Sequence, residues 1–138
     1  MKTVLIFEPD AILRFLYKEE LEDEGYHVYG SKDARGSLAL LQEKPVDILI
    51  MEYSVDPTKA YANVLSTARE IKHIPVIIFT SYPRVLMDYE WWGEIEYVSK
   101  TSNLAVLKDT MRDMLDYKSY VDTFNRRPGR LKQQEVVL

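Results

Sequence analysis

The most constraining feature of the sequence is a short apolar run that ends on one carboxylate. The run Ile48–Met51 lies between Asp47 and Glu52 and does not alternate with polar residues. A strand that helices cover on both faces has this pattern, because neither face needs polar side chains. In open parallel sheets the binding crevice lies at the carboxyl ends of the strands. Glu52 is therefore the first candidate for a functional residue.

Similar apolar runs recur along the chain, and helical spacing follows each of them. The predicted strands cover Thr3–Phe7, Tyr26–Tyr29, Val46–Met51, Pro75–Phe79 and Ile95–Val98. The predicted helices cover Ala11–Glu24, Lys32–Glu43, a segment ending at Lys72, Arg84–Trp92 and a last helix from Leu104. Strands that alternate with helices predict a parallel sheet with helices on both faces. We therefore expect an α/β protein, a (βα)5 three-layer sandwich.

The spacing of apolar residues also predicts which side of each helix faces the core. The expected inward residues are Leu13, Leu16, Tyr17 and Leu21 in the first helix, Leu38 and Leu41 in the second, Tyr61, Val64, Leu65, Ala68 and Ile71 in the third, and Leu104, Leu107, Met111, Met114 and Leu115 in the last. Asp10 is suited to begin the first helix and Gly25 to end it. Thr101 or Ser102 is expected to cap the last helix.

The composition excludes several classes of protein. A chain of 138 residues fits one compact domain, and 46% apolar with 29% charged residues is typical of a soluble globular protein. No apolar run approaches the ~20 residues that span a bilayer. The absence of cysteine excludes disulfides and thiolate metal sites and fits a cytoplasmic location. A net charge of −4 argues against nucleic-acid binding by the body of the domain.

Polar residues follow four of the five predicted strands. They are Glu8 and Asp10 after the first strand, Glu52 after the third, Thr80 at the end of the fourth and Lys100 after the fifth. In a doubly wound sheet these strand ends meet in one crevice. The sequence therefore predicts one polar site that combines carboxylates, a hydroxyl and an ammonium group.

With these residues, the sequence resembles the receiver domain of two-component response regulators over about residues 2–117. That family has an acidic pair after strand one, an acceptor aspartate after strand three, Thr or Ser after strand four and Lys after strand five. An aromatic switch residue precedes the lysine by three positions, matched here by Tyr97. The segments VDILIMEY, IPVIIFTS and EYVSK are similar to the family's strands. The resemblance implies a flavodoxin-like fold with strand order 2-1-3-4-5.

The resemblance also implies a domain at 1–117, followed by an extension or linker at 118–138 that is partly helical and then flexible. In typical receivers, carboxylates hold a divalent cation while a phosphoryl group is transferred to the aspartate. The lysine and the threonine hydroxyl then hold the product. This chain has Glu52 at the acceptor position and Pro9 where a metal ligand is usual. Only weak metal candidates remain, Glu8, Asp10 and Glu52, so we expect no cofactor and at most weak Mg²⁺ binding.

Two interpretations of Glu52 remain open. It either forms an ordinary ion pair with Lys100 or is a degenerate acceptor whose charge replaces that of a phosphorylated aspartate. A glutamate brings one negative charge, whereas a phosphoryl group brings nearly two, so the imitation is incomplete.

Two adjacent tryptophans, Trp91 and Trp92, have two possible roles. Neighbouring residues on a helix point about 100° apart, so one ring is expected to be buried and the other exposed near Tyr97. Exposed aromatic clusters are typical of contact surfaces. Alternatively, both rings pack into a remodelled fourth-helix region. The predicted partner surface, for a protein or a second copy, is formed by the predicted fourth helix (Arg84–Trp92), the fifth strand (Ile95–Val98) and the last helix.

We therefore predict an atypical receiver domain that is not an enzyme and acts as a phosphorylation-independent signalling and protein-interaction module, with no membrane contact. The alternative is a phosphoaccepting receiver of a phosphorelay. That receiver could be part of a DNA-binding transcription regulator, with Arg126–Arg130 as the linker. Nucleic acid would then be bound only by an effector domain outside this sequence.

Overall fold

Five parallel strands form one sheet in the order β2-β1-β3-β4-β5, as the resemblance predicts. This computed structural model describes residues 1–52, 59–81 and 95–125. The strands are β1 (Thr3–Phe7), β2 (His27–Ser31), β3 (Ile48–Met51), β4 (Val76–Thr80) and β5 (Ile95–Ser99). The helices are α1 (Ala11–Asp23), α2 (Ala34–Glu43), α3 (Ala60–Ser66) with a π-helical turn Thr67–Ile71, and α4 (Ala105–Asn125). No helix in these three ranges is long and apolar enough to cross a membrane.

Alternate residues of each strand contribute to two separate apolar layers. Val4 and Ile6 of β1 pack with side chains of α1 and α4, including Leu21 and Met111. Leu5 and its neighbours on the opposite face pack with side chains of α2 and α3. Helices therefore cover both faces of the sheet, which confirms the flavodoxin-like three-layer sandwich and explains the uninterrupted apolar runs.

The ends of α1 are as predicted, but one of its expected core residues is not buried. The carboxylate of Asp10 accepts hydrogen bonds from the backbone N–H groups at positions 12 and 13, and Gly25 ends the helix region with φ of +97°. Leu13 is half-buried, whereas Leu16 is 48% exposed. The prediction for Leu16 was wrong, because burial of Tyr17 turns its neighbour about 100° away from the core.

The third helical segment departs from its predicted stripe at its end. Ala68 is buried, but Ile71 is 67% exposed. The N–H of Lys72 donates to the carbonyl of Thr67 over 3.0 Å, five residues back, so each residue of this π-helical turn rotates less than in an α-helix. The next residue that faces the core therefore lies later in the chain: Ile74 is buried, whereas Ile71 is not.

The last helix begins at a cap other than the predicted one. The side chain of Asn103, not that of Thr101 or Ser102, accepts a hydrogen bond from Ala105 N at 2.9 Å. The helix continues to Asn125, past the predicted domain boundary at 117, and the division of the chain stays a prediction. The predicted loop 53–57, the predicted helix 84–92 and the tail 126–138 lie outside the described residues.

Candidate functional site

The carboxyl ends of β1, β3 and β5 bring three charged side chains to one place. Ladder hydrogen bonds continue past the strands: Glu8 N donates to Ser31 O over 3.0 Å, and Glu52 N donates to Phe7 O over 3.1 Å. Lys100 N donates to Thr80 O over 2.9 Å. These bonds fix the backbone at each strand end and so determine where the side chains begin.

Lys100 Nζ forms ion pairs with both Glu8 Oε1 and Glu52 Oε2. The side chains are 11% exposed for Lys100, 6% for Glu8 and 27% for Glu52. The second carboxylate oxygen of Glu8 accepts a hydrogen bond from Asp10 N at 3.0 Å. The predicted crevice therefore has a lysine between two carboxylates, with Glu8 the more enclosed of the two.

Burial and hydrogen bonding have opposite effects on Lys100. Burial lowers the pKa of Lys100, whereas its hydrogen bonds to Glu52 and Glu8 raise it, and the net direction is upward. Lys100 Nζ also lies 6.0 Å from the centroid of the Tyr17 ring. The pKa of the Tyr17 hydroxyl is raised, mainly by burial. The charge of Lys100 lowers this pKa, and the charges of Glu8 and Glu52 raise it. The lysine is therefore charged and the tyrosine neutral at ordinary pH.

The other predicted carboxylate does not join this cluster. Asp10 accepts hydrogen bonds from backbone groups of α1, as its role as a helix cap requires. Arg14, which the strand-end pattern does not mark, donates from Nη1 to the carbonyl oxygens of Glu8 at 2.7 Å and Pro9 at 3.3 Å. Its position four residues after Asp10, on the first turns of α1, is the signal that places it near the strand ends.

The donor set does not fit a divalent cation. Lys100 engages both Glu8 and Glu52, Asp10 is occupied by the helix, and Pro9 has no side-chain ligand to offer. Across the described ranges, no three His, Cys, Asp or Glu side chains form a group that could hold a metal ion. Mg²⁺ is usually held by one or two carboxylates together with several waters, and here both strand-end carboxylates are already paired with Lys100.

The two uncharged predicted site residues lie on neighbouring strands. Thr80 is buried at the end of β4, directly opposite Ser99 in the register with β5. Tyr97 pairs with Ile78 and is half-buried against the apolar layer on the α2 and α3 side of the sheet. The predicted contact residues Trp91 and Trp92 lie outside the described residues.

The strand order and the residues at the strand ends define a receiver-type domain of the response-regulator class. The crystal structure of response regulator protein TrrA from Thermotoga maritima, in complex with Mg²⁺ and BeF, is similar to this chain. Its TM-score is 0.73 at 26% identity, and the match covers 83% of this chain and 99% of TrrA. TrrA in complex with histidine kinase ThkA matches with a TM-score of 0.68 at 26% identity, over 83% of this chain and 99% of that one.

Curated relatives support the same class. The transcriptional regulatory protein CpxR of Klebsiella pneumoniae is 33% identical over 81 residues, which are 59% of this chain and 34% of CpxR. CpxR of Escherichia coli K12 is 32% identical over the same shares. The chain therefore spans about a third of the length of the curated relatives that it matches. No family model matches the chain.

Proposed function

We propose that this receiver-type domain signals by binding a protein partner and does not accept a phosphoryl group. The observation that carries the proposal is the pairing of Lys100 with both Glu8 and Glu52. Glu52 has the position of the acceptor aspartate, and its carboxylate is already engaged by the lysine that would hold a product phosphate. The domain would then be a cytoplasmic signalling module and not an enzyme.

The missing metal ligand at Pro9 is a second argument for the proposal. A phosphoryl donor brings several negative charges, and a bound divalent cation normally offsets them. Here, Pro9 removes one carboxylate ligand, and the two remaining carboxylates are bonded to Lys100. A donor would therefore meet carboxylate charge with no metal ion to offset it.

Intact-mass spectrometry after incubation with acetyl phosphate and MgCl₂ tests the loss of phosphorylation. We expect no added phosphate on the wild-type chain. The matched control is the double variant Pro9→Asp and Glu52→Asp, which restores both the ligand and the acceptor and should gain phosphate. A stable phosphate on the wild-type chain that Glu52→Gln abolishes would contradict the proposal.

The described surface of α4 supports a role in protein contact. Val106 is 64% exposed and Tyr117 is 58% exposed. They are eleven positions apart, or about three helical turns, and therefore lie on the same side of α4. We propose that this side of α4, together with the edge strand β5, forms the partner surface.

Sedimentation velocity over a range of concentrations tests this surface, with a second copy of the chain as the partner. Val106→Asp and Tyr117→Asp should each weaken self-association, because a buried unpaired carboxylate is unfavourable in an interface. The control is Ile71→Asp, a change at another exposed apolar residue away from α4. If none of the three variants changes the sedimentation of an associating chain, the interface lies elsewhere.

A phosphoaccepting receiver of a transcription regulator is the second candidate. It is favoured by the order of Thr80, Tyr97 and Lys100, and by relatives that are transcriptional regulatory proteins. Since the chain spans about a third of those relatives, a DNA-binding effector domain is part of this proposal only. The mass measurement separates the two candidates, and sequencing the reading frame past Leu138 would show whether an effector domain follows.

A further inference from the structure

We propose that Lys100 acts as an internal cation that replaces the divalent metal ion and closes the site to magnesium. This inference rests on the proposed function, since it concerns the regulation of the same site. Its consequence is that the contacts among Glu8, Glu52 and Lys100 do not change with magnesium concentration.

The ammonium group of Lys100 occupies the space between the two carboxylates. An ammonium group has three donors, and two of those of Lys100 are directed at Glu8 and Glu52. The centroid of the Tyr17 ring lies 6.0 Å from Nζ, and the Lys100 side chain is 11% exposed. A metal ion that bridged the two carboxylates would compete with the ammonium group for Glu8 Oε1 and Glu52 Oε2.

The charges of the cluster favour the ammonium group over a divalent ion. The family pattern has three carboxylates at this place, which match a divalent cation and a lysine together. Here, Pro9 removes one of them, and Asp10 is used by α1. Two carboxylates and one lysine leave a single net negative charge. A bound divalent ion beside the lysine would reverse the sign of that charge.

Arg14 brings a second positive charge close to the site. Its guanidinium donates to the backbone carbonyl oxygens of Glu8 and Pro9, so these oxygens are already engaged. A hard divalent ion needs about six oxygen ligands. It would therefore approach a second positive charge while it competed with Lys100.

Removal of the lysine should open the site to metal. We would titrate the wild-type chain and Lys100→Met with MnCl₂ to about 10 mM, which exceeds the dissociation constants of weak protein sites. The readouts are the thermal midpoint and the Mn²⁺ broadening of the amide signals of Glu8 and Glu52. The wild-type chain should show neither change, whereas Lys100→Met should show both, with half-saturation near 1 mM or below as an order-of-magnitude value.

Two control variants test whether the Mn²⁺ response is specific to the loss of the cation at position 100. Lys100→Arg keeps a cation in place and should stay insensitive to Mn²⁺. Lys108→Met removes a lysine from between Glu20 and Glu24 on the surface and should not create a saturable site there. A Mn²⁺ response of Lys108→Met equal to that of Lys100→Met would overturn the proposal, because any freed glutamate pair would then suffice.

Two further outcomes would overturn the internal-cation proposal. One is saturable broadening of Glu8 or Glu52 in the wild-type chain anywhere in the titration to about 10 mM Mn²⁺. The other is a folded Lys100→Met that does not respond to Mn²⁺, because the metal would then be excluded by Pro9 alone. If Lys100→Met does not fold, Lys100→Gln is judged by the same criteria, and folding that depends on Mn²⁺ counts in favour.

Neither of these Mn²⁺ results would contradict the proposed function. The proposed function fails only if the wild-type chain gains a stable phosphate in the mass measurement.

Discussion

Two lysines of this chain each bridge two glutamates, but in different surroundings. Lys100 joins Glu8 and Glu52 across three strand ends. Lys108 of α4 joins Glu20 at 2.8 Å and Glu24 at 3.2 Å, near the end of α1. The glutamate side chains are 6% and 27% exposed in the first bridge, and 52% and 43% exposed in the second.

The two bridges consist of the same kind of ion pairs but are expected to contribute differently to stability. The pKa of Lys108 is raised by hydrogen bonds to Glu20 and Glu24. The pKa of Lys100 is also raised, although burial opposes the hydrogen bonds there. Exposed ion pairs contribute little, because water solvates either partner once the other is removed. Enclosed charges lack that solvation, so removing one partner leaves the other without compensation.

The largest expected effect distinguishes the two lysines directly. Lys100→Met should lower the free energy of unfolding by about 3 kcal/mol, because it leaves two enclosed carboxylates close together. Lys108→Met should move the unfolding midpoint only slightly, because Glu20 and Glu24 are in contact with water. Urea unfolding monitored by circular dichroism measures both. Equal losses in the two variants would show that burial does not decide the strength of the bridge.

The next effect tests which glutamate matters more to Lys100. Glu8→Gln should destabilise the domain by about 2 kcal/mol and Glu52→Gln by about 1 kcal/mol, because Glu8 is the more enclosed. The double variant of Lys100→Met and Glu52→Gln should recover about 1 kcal/mol of the summed losses, a coupling typical of charges in contact. Losses that simply add would mean that Glu52 and Lys100 do not interact.

Much of this cluster could be predicted, because it depends on strand ends. An uninterrupted apolar run has a clear last residue, so the sequence alone identifies Glu52, and the resemblance identifies Lys100 after the fifth strand. Asp10 was predicted as a helix cap from its residue type and position. The sequence does not determine that Lys100 contacts Glu8 and Glu52 but not Asp10, because that choice depends on the cap geometry. Arg14 and Tyr17 were missed as site neighbours for a similar reason, since the pattern marked only strand ends.

The errors in the fold have local causes. Ile71 fits an α-helical stripe by its spacing, and only the π-helical hydrogen bond from Lys72 to Thr67 shifts that stripe. Thr101 and Asn103 are both good caps, and the choice between them rests on tertiary position. Spacing and residue type therefore predict which elements form more reliably than they predict the turns at their ends.

A smaller effect follows from the direction of the pKa shifts. The folded pKa of Lys100 is raised above its unfolded value near 10.4, so its contribution to stability is complete below that pH. The contribution is lost as the pH rises through the folded pKa. The difference in unfolding free energy between the wild-type chain and Lys100→Met should therefore shrink between pH 9 and pH 11.5. Urea midpoints across that range measure it, and a gap that widens with pH would contradict the assigned shift.

The smallest expected effect is the salt dependence of the surface bridge. The screening length falls from about 10 Å at 0.1 M salt to about 3 Å at 1 M, so exposed charges lose most of their interaction. The small midpoint difference between the wild-type chain and Lys108→Met should vanish in 1 M NaCl, whereas the difference for Lys100→Met should persist.

The reason is that mobile ions reach Glu20 and Glu24, which are about half exposed, but have little access to Glu8. Paired urea titrations at both salt concentrations make the test. If the midpoint difference for Lys108→Met persists in 1 M NaCl while that for Lys100→Met disappears, the bridge at the strand ends is not the more enclosed of the two. Lys100 would then be too open to exclude a metal ion by itself.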